Sequence, residues 1–160
     1  MWPPVLTFLT ISTVFFVSLL PASPGRAREI VIDDFADGLD AHWQTKSFAG
    51  STQYTQDQED NQSCIKAVSR AAASGLYYEI EYEPSAYPIL SWSWKVEKIL
   101  PQGDARRKAG DDYAARLYVV FPSFFFWQTR ALNYIWANRL PRGSAVPNPF
   151  TDKAVMVAVE

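Results

Sequence analysis

The chain predicts an all-β fold, an antiparallel β-sandwich that is incomplete at its C-terminus. Three observations carry that prediction. Leu76 to Glu83 and Ile89 to Glu97 alternate apolar and polar residues with period two, as strands with one wet face do. The apolar runs are short and separated by Gly, Pro and Asp, with no long helical pattern between them. Aromatic residues make up 15% of the chain, with six Trp, eight Tyr and ten Phe, and aromatic side chains suit a pleated, half-buried surface.

Along the chain, Glu29 to Phe35 (EIVIDDF) reads as a strand that runs into a turn at Asp37-Gly38. Trp43 to Phe48 is a short second strand. Gln53 to Gln62 is polar and reads as a loop. Cys64 to Ser69 is a strand and Ala71 to Gly75 a turn of small residues. Leu76, Tyr78, Ile80 and Tyr82 then point one way, with Tyr77, Glu79 and Glu81 on the other side. After a turn at Pro84 to Pro88, Leu90, Trp92, Trp94 and Val96 share one face and Ser91, Ser93, Lys95 and Glu97 the other. That grouping places both tryptophans in a core rather than on a sugar-stacking platform.

Pro101 to Asp112 is a polar loop. Ala114 to Phe121 is strongly β-like, and its run Leu117 to Phe121 suggests a strand covered on both faces. Phe124 to Ala137 fits either a helix or a strand. Pro141 to Pro149 is a loop with three prolines, and Ala154 to Val159 is a last strand. The chain stops at Glu160 directly after it, which leaves an open strand edge and leads us to expect an incomplete domain.

The first 27 residues read as an address. Val5 to Leu20 carries no charge and is shorter than the roughly 20 residues a membrane span needs. Gly25 and Ala27 stand at −3 and −1 of a cut before Arg28, as a signal peptidase requires. We therefore expect a signal peptide over 1–27, one domain over 28–160, and a periplasmic or secreted location. The alternative is an uncleaved membrane anchor.

A single cysteine, Cys64, excludes an internal disulfide and a multi-cysteine metal site. A net charge of −2 argues against binding nucleic acid through its phosphates. Arg106-Arg107-Lys108 is the one cationic run and reads as a solvated loop.

Two motifs carry a resemblance. Tyr87-Pro88-Ile89-Leu90-Ser91-Trp92-Ser93-Trp94-Lys95-Val96 is the first, and Gly110 to Phe121 (GDDYAARLYVVF) the second. With Asp33-Asp34-Phe35 and Asn133 to Ala137, they resemble a family of bacterial exported proteins known only as a domain of unknown function. The resemblance spans about residues 29 to 160 and implies that further strands follow in such proteins. The opening pattern, an acidic-Phe strand followed by Gly38, Trp43 and Gly50, is also similar to galactose-binding-like jelly rolls that bind carbohydrate. No activity comes with either likeness.

Candidate chemistry is sparse. His42 is the sole histidine and sits in a surface turn, so a Ser-His-Asp triad has little to build on. Ser63-Cys64-Ile65-Lys66 has an S-x-x-K spacing, but on a strand those two side chains point to opposite faces. Asp33-Asp34 and Asp111-Asp112 stand at strand ends. There they cap turns, hold a structural calcium (Asp33 and Asp34), or form the carboxylate pair of a glycan hydrolase.

Ligand-facing positions are Tyr77, Arg116, Tyr118, Trp127, Asp111 and Asp112, because aromatic rings beside polar groups suit a sugar. An ion pair between Asp112 and Arg116 is expected. The leading expectation is a non-catalytic binder of carbohydrate or another envelope component, without a cofactor. The alternatives are a glycan hydrolase and a protein-interaction module. Phe124 to Trp127 either forms a patch for a partner or a membrane surface or inserts under the sandwich edge.

Overall fold

The computed structural model describes residues 28–160. The expected signal peptide over 1–27 lies outside the described residues. The fold is all-β, its sheets are consistent with a β-sandwich, and no helix of the described residues is long and apolar enough to cross a membrane. The chain divides into two compact units, with the division along the sequence between Leu90 and Ser91.

The first unit holds two separate ribbons. Strand β1 (Gln44–Ala49) pairs antiparallel with β4 (Ala73–Tyr77), with a register shift between Ser47 and Ala49. Strand β2 (Gln53–Glu59) pairs with β3 (Gln62–Val68). The polar stretch expected to be a loop is therefore a strand. Its cause is the two-residue connection Asp60-Asn61, both left-handed at φ 48° and 64°. That is the turn whose twist matches the twist of a hairpin, and Asp and Asn tolerate it.

The expected strand at Glu29 to Phe35 does not form. Asp33 Oδ1 accepts the Phe35 N–H at 2.7 Å, Asp34 Oδ1 accepts the Ala36 N–H at 3.0 Å, and Phe35 sits at φ 57°. Each aspartate closes a local turn that competes with a ladder. Leu76 to Glu83 is also shorter than its pattern suggested. Its pairing ends at Tyr77, where β1 has no more residues to offer.

The second unit is built on one four-stranded sheet in the order β5-β6-β8-β7. Strands β5 (Arg116–Phe121) and β6 (Arg130–Ile135) form an antiparallel hairpin, β7 (Ala145–Pro147) pairs antiparallel with β8 (Ala154–Ala158), and β6 runs parallel to β8. The ambiguous stretch 124–137 thus resolves into a 3-10 turn at Phe126–Gln128 and strand β6. Strand β7 forms inside the expected proline loop. Ile89 to Glu97 joins no ladder, yet it keeps its alternation: Trp92, Trp94 and Val96 are half-buried, while Ser91, Ser93, Lys95 and Glu97 are exposed.

Cross-strand partners project to the same face of a sheet. Register therefore groups Arg116 with Ile135, Tyr118 with Asn133, and Asn133 with Met156 on one face. Ala105 and Tyr113 pack there against Ile135 and Met156, with Ala137, Leu140 and Val146 around them. The other face carries Tyr134. The Trp92 ring lies 5.1 Å from it and 5.6 Å from Trp94, and Trp94 lies 5.9 Å from Trp136. The two tryptophans are thus packing residues, as their alternation suggested.

Strand β5 is not covered on both faces as expected. It is the sheet edge, with Tyr118, Val120 and Phe121 left 49%, 53% and 43% exposed.

Candidate functional site

The site forms where the loop 101–115 crosses the face of β5 and β6. Two glycines let that loop close tightly. A Cβ at Gly103 would lie 2.5 Å from the Asp112 carbonyl oxygen, and one at Gly110 would lie 2.9 Å from Asp104. Asp104, 6% exposed, is the hub. Its N–H donates to the Gly110 carbonyl at 2.7 Å, and its carboxylate accepts from Arg106 Nε and Arg107 Nε, both at 3.1 Å. The Arg106 N–H and side chain hold that carboxyl below its ordinary pKa. Arg106 and Arg107, read from sequence as a solvated run, are clamps on a buried charge.

The loop delivers Asp111 and Tyr113 to Arg116, the first residue of β5. Arg116 Nη2 donates to Asp111 Oδ1 and to the Asp111 carbonyl, both at 3.1 Å, and Nη1 donates to Tyr118 Oη at 2.8 Å. The guanidinium lies 4.6 Å from the Tyr113 ring centre and 5.8 Å from that of Tyr118, within cation–π range. Burial alone would weaken its charge, but Tyr118 and Asp111 outweigh that, so its pKa is raised. The Tyr113 hydroxyl is pushed up to about 12, by burial first and by the Asp111 charge second.

Two polar atoms on this face have no partner. Asn133, fully buried and in register with Tyr118, donates through Nδ2 to Met156 Sδ at 3.2 Å, but its Oδ1 accepts nothing. The Tyr113 hydroxyl is likewise buried and unpaired. Most buried polar groups in proteins are paired. Both atoms are closed off from solvent, so they are unpaired groups in the packed floor beneath the exposed Tyr118 ring and not contacts for a surface ligand.

The structure brings together three of the six ligand-facing positions, Asp111, Arg116 and Tyr118. Asp111, not Asp112, makes the ion pair with Arg116, because the loop turns the exposed Asp112 outward. Trp127 sits beyond the far end of β5, about 17 Å of strand from Arg116 at about 3.3 Å per residue. Tyr77 belongs to the first unit, on β4, where its hydroxyl donates to Gln44 Oε1 at 2.6 Å.

Tyr113 and Asn133 were not anticipated. The signal for Asn133 was present: it is the one polar residue between Ala131 and Ile135 on an inward-facing register of β6.

Asp33 uses both carboxylate oxygens, Oδ1 on the Phe35 N–H and Oδ2 on Trp43 Nε1 at 2.7 Å. Among the described residues no group of three or more His, Cys, Asp or Glu side chains is placed to hold a metal. His42 is bonded through Nδ1 to Asp40 in an exposed turn, and its ring lies 5.8 Å from that of Tyr78, tilted at 46°.

A family model described as "Protein of unknown function (DUF3047)" matches residues 41–160. No curated protein and no solved structure matches the chain.

Proposed function

This chain belongs to DUF3047, a family of unknown function, and on that premise we propose that it is an exported, non-catalytic protein that binds a carbohydrate or a similar polyhydroxylated envelope component. The observation that carries the reading is the Tyr118–Arg116–Asp111 network on the edge strand, with the Tyr118 ring 49% exposed. A sugar offers hydroxyls that donate and accept at once, and C–H faces that stack on a ring. This face offers a half-exposed tyrosine ring beside a guanidinium and a carboxylate that are fixed on each other and still partly open to solvent.

Export is supported by the apolar run Val5 to Leu20, by the small residues Gly25 and Ala27 before Arg28, and by the lone cysteine. A binding role is favoured over hydrolysis because three of the four candidate carboxylates have structural partners, which leaves no paired acid and base with the exposed Asp112. Asp111 holds Arg116, and Asp33 and Asp34 close turns.

The test is a glycan-array screen followed by calorimetry on the strongest hit. Tyr118→Ala and Arg116→Gln each weaken binding by roughly tenfold or more, equivalent to about 1.4 kcal/mol. Binding that is unchanged in both variants, or absent from a folded sample, removes this function. Running the array with calcium and with chelator separates a direct polar site from one that depends on a metal at Asp33 and Asp34.

A further inference from the structure

The β5–β6 hairpin ends in Phe124-Phe125-Phe126-Trp127, and these side chains face outward. Phe124 is 96% exposed, Phe126 81%, Trp127 58% and Phe125 47%. They are not four independent rings. Phe125 stacks on Trp127 at 4.9 Å, while Phe124 meets Phe125 and Phe126 meets Trp127 edge-on at 5.1 and 5.2 Å. The backbone beneath them is closed on itself. Gln128 N–H donates to the Phe125 carbonyl at 2.8 Å, Thr129 N–H to the Phe126 carbonyl at 3.1 Å, and Ser123 N–H to Thr129 Oγ1 at 3.3 Å. The tip is thus a preformed aromatic knob.

The foot of the knob is cationic. A cleft there is lined by Ser123, Gln128, Arg130 and Lys153, with no carboxylate in its lining. The parallel register of β6 and β8, Ala131 against Ala154, sets Arg130 and Lys153 side by side at one end of the sheet. Lys153 does have an acidic neighbour, Asp152 at 3.6 Å, whose side chain is 84% exposed.

The geometry points to a membrane-docking tip: the aromatic knob enters the interfacial region of a bilayer, and Arg130 and Lys153 engage the headgroups of anionic lipids. Tryptophan and phenylalanine favour that interface, and each nearby cation adds attraction to an anionic leaflet. Several neighbouring rings stand near right angles to one another, so the knob presents edges as well as faces and has no flat surface to match a protein groove. A lipid interface needs no such match. It does require backbone polar groups to be satisfied internally, and the turn satisfies several of its own. This tip lies at the opposite end of the hairpin from Arg116 and does not depend on the carbohydrate reading.

The experiment reads Trp127 as a difference between the wild type and Trp127→Phe, so that the other five tryptophans and the apolar N-terminal run are common to both. The full chain is mixed with phosphatidylcholine vesicles, with or without phosphatidylglycerol, whose acyl chains are brominated. Quenching of tryptophan fluorescence is then compared between the wild type and Trp127→Phe. The expected result is clearly greater quenching in the wild type, strengthened by phosphatidylglycerol. Phe124→Ser with Phe126→Ser abolishes that excess. Arg130→Gln with Lys153→Gln removes its dependence on anionic lipid. These side chains are all exposed, and circular dichroism checks that each variant folds. Equal quenching in the wild type and Trp127→Phe overturns the proposal and would mark the knob as a protein contact.

Discussion

The two units use the same kind of element to opposite effect. Every buried residue among those described, apolar or polar, lies after Ser91, in the unit built on the four-stranded sheet. Before it, strands β1 to β4 pair just as regularly, yet β2 is exposed at every position but Tyr54. The first unit leaves Ile30, Val31, Phe48, Ile80 and Ile89 at the surface. Hydrogen-bonded ladders therefore do not make a core by themselves. A two-stranded ribbon offers no enclosed face, whereas four strands with a loop folded across them do. The candidate site follows the core, because fixing a guanidinium against two rings needs a rigid floor.

That contrast can be broken most sharply by truncating the floor. Ile135→Ala should cost about 2–5 kcal/mol in urea unfolding, from lost burial and the cavity left behind. Phe48→Ala, at a site 70% exposed in the first unit, should cost about 0.5 kcal/mol or less. Equal losses would mean that burial does not set the two units apart.

A smaller effect comes from Tyr113. Its hydroxyl titrates at about 12 in the folded chain against 10.0 in the unfolded one. The unfolded chain therefore gives up the proton first. This contribution is complete below pH 10 and is lost as pH rises toward 12, by roughly 2 kcal/mol. Wild type and Tyr113→Phe should be compared by unfolding across that range. The phenylalanine variant lacks this alkaline decline. At neutral pH it should equal or exceed the wild type, because it removes a buried hydroxyl that has no partner.

Asp57→Asn, like Phe48→Ala, is expected to change stability little. It removes an exposed ion pair with Lys66, 3.7 Å apart across β2 and β3, and should shift stability by about 1 kcal/mol or less.

How far the sequence could be read varied from residue to residue. The alternation around Trp92 and Trp94 gave their facing correctly even though no ladder forms there, since side-chain period follows from an extended backbone alone. Arg116 and Tyr118 were legible as one face for the same reason. The β2–β3 hairpin was missed because its strands are polar, and its only signal was the pair Asp60-Asn61. Glu29 to Phe35 misled because an apolar run outweighed two aspartates whose side chains turn the chain locally. The partner of Arg116 was placed one residue off, since Asp111 and Asp112 are equivalent until the loop direction is known.

By itself the sequence determined the all-β class, the strand periodicity and the facing of the aromatic pairs, because these depend on local backbone geometry and residue type. Tertiary structure alone decided that β6 and β8 run parallel, that Asp104 is a buried hub, and that Tyr113 and Asn133 lie on the face of Arg116 and Tyr118. Those facts join residues far apart in the chain. The free energy that selects them, from burial, close approach at Gly103 and Gly110, and paired charge, exists only once the segments meet.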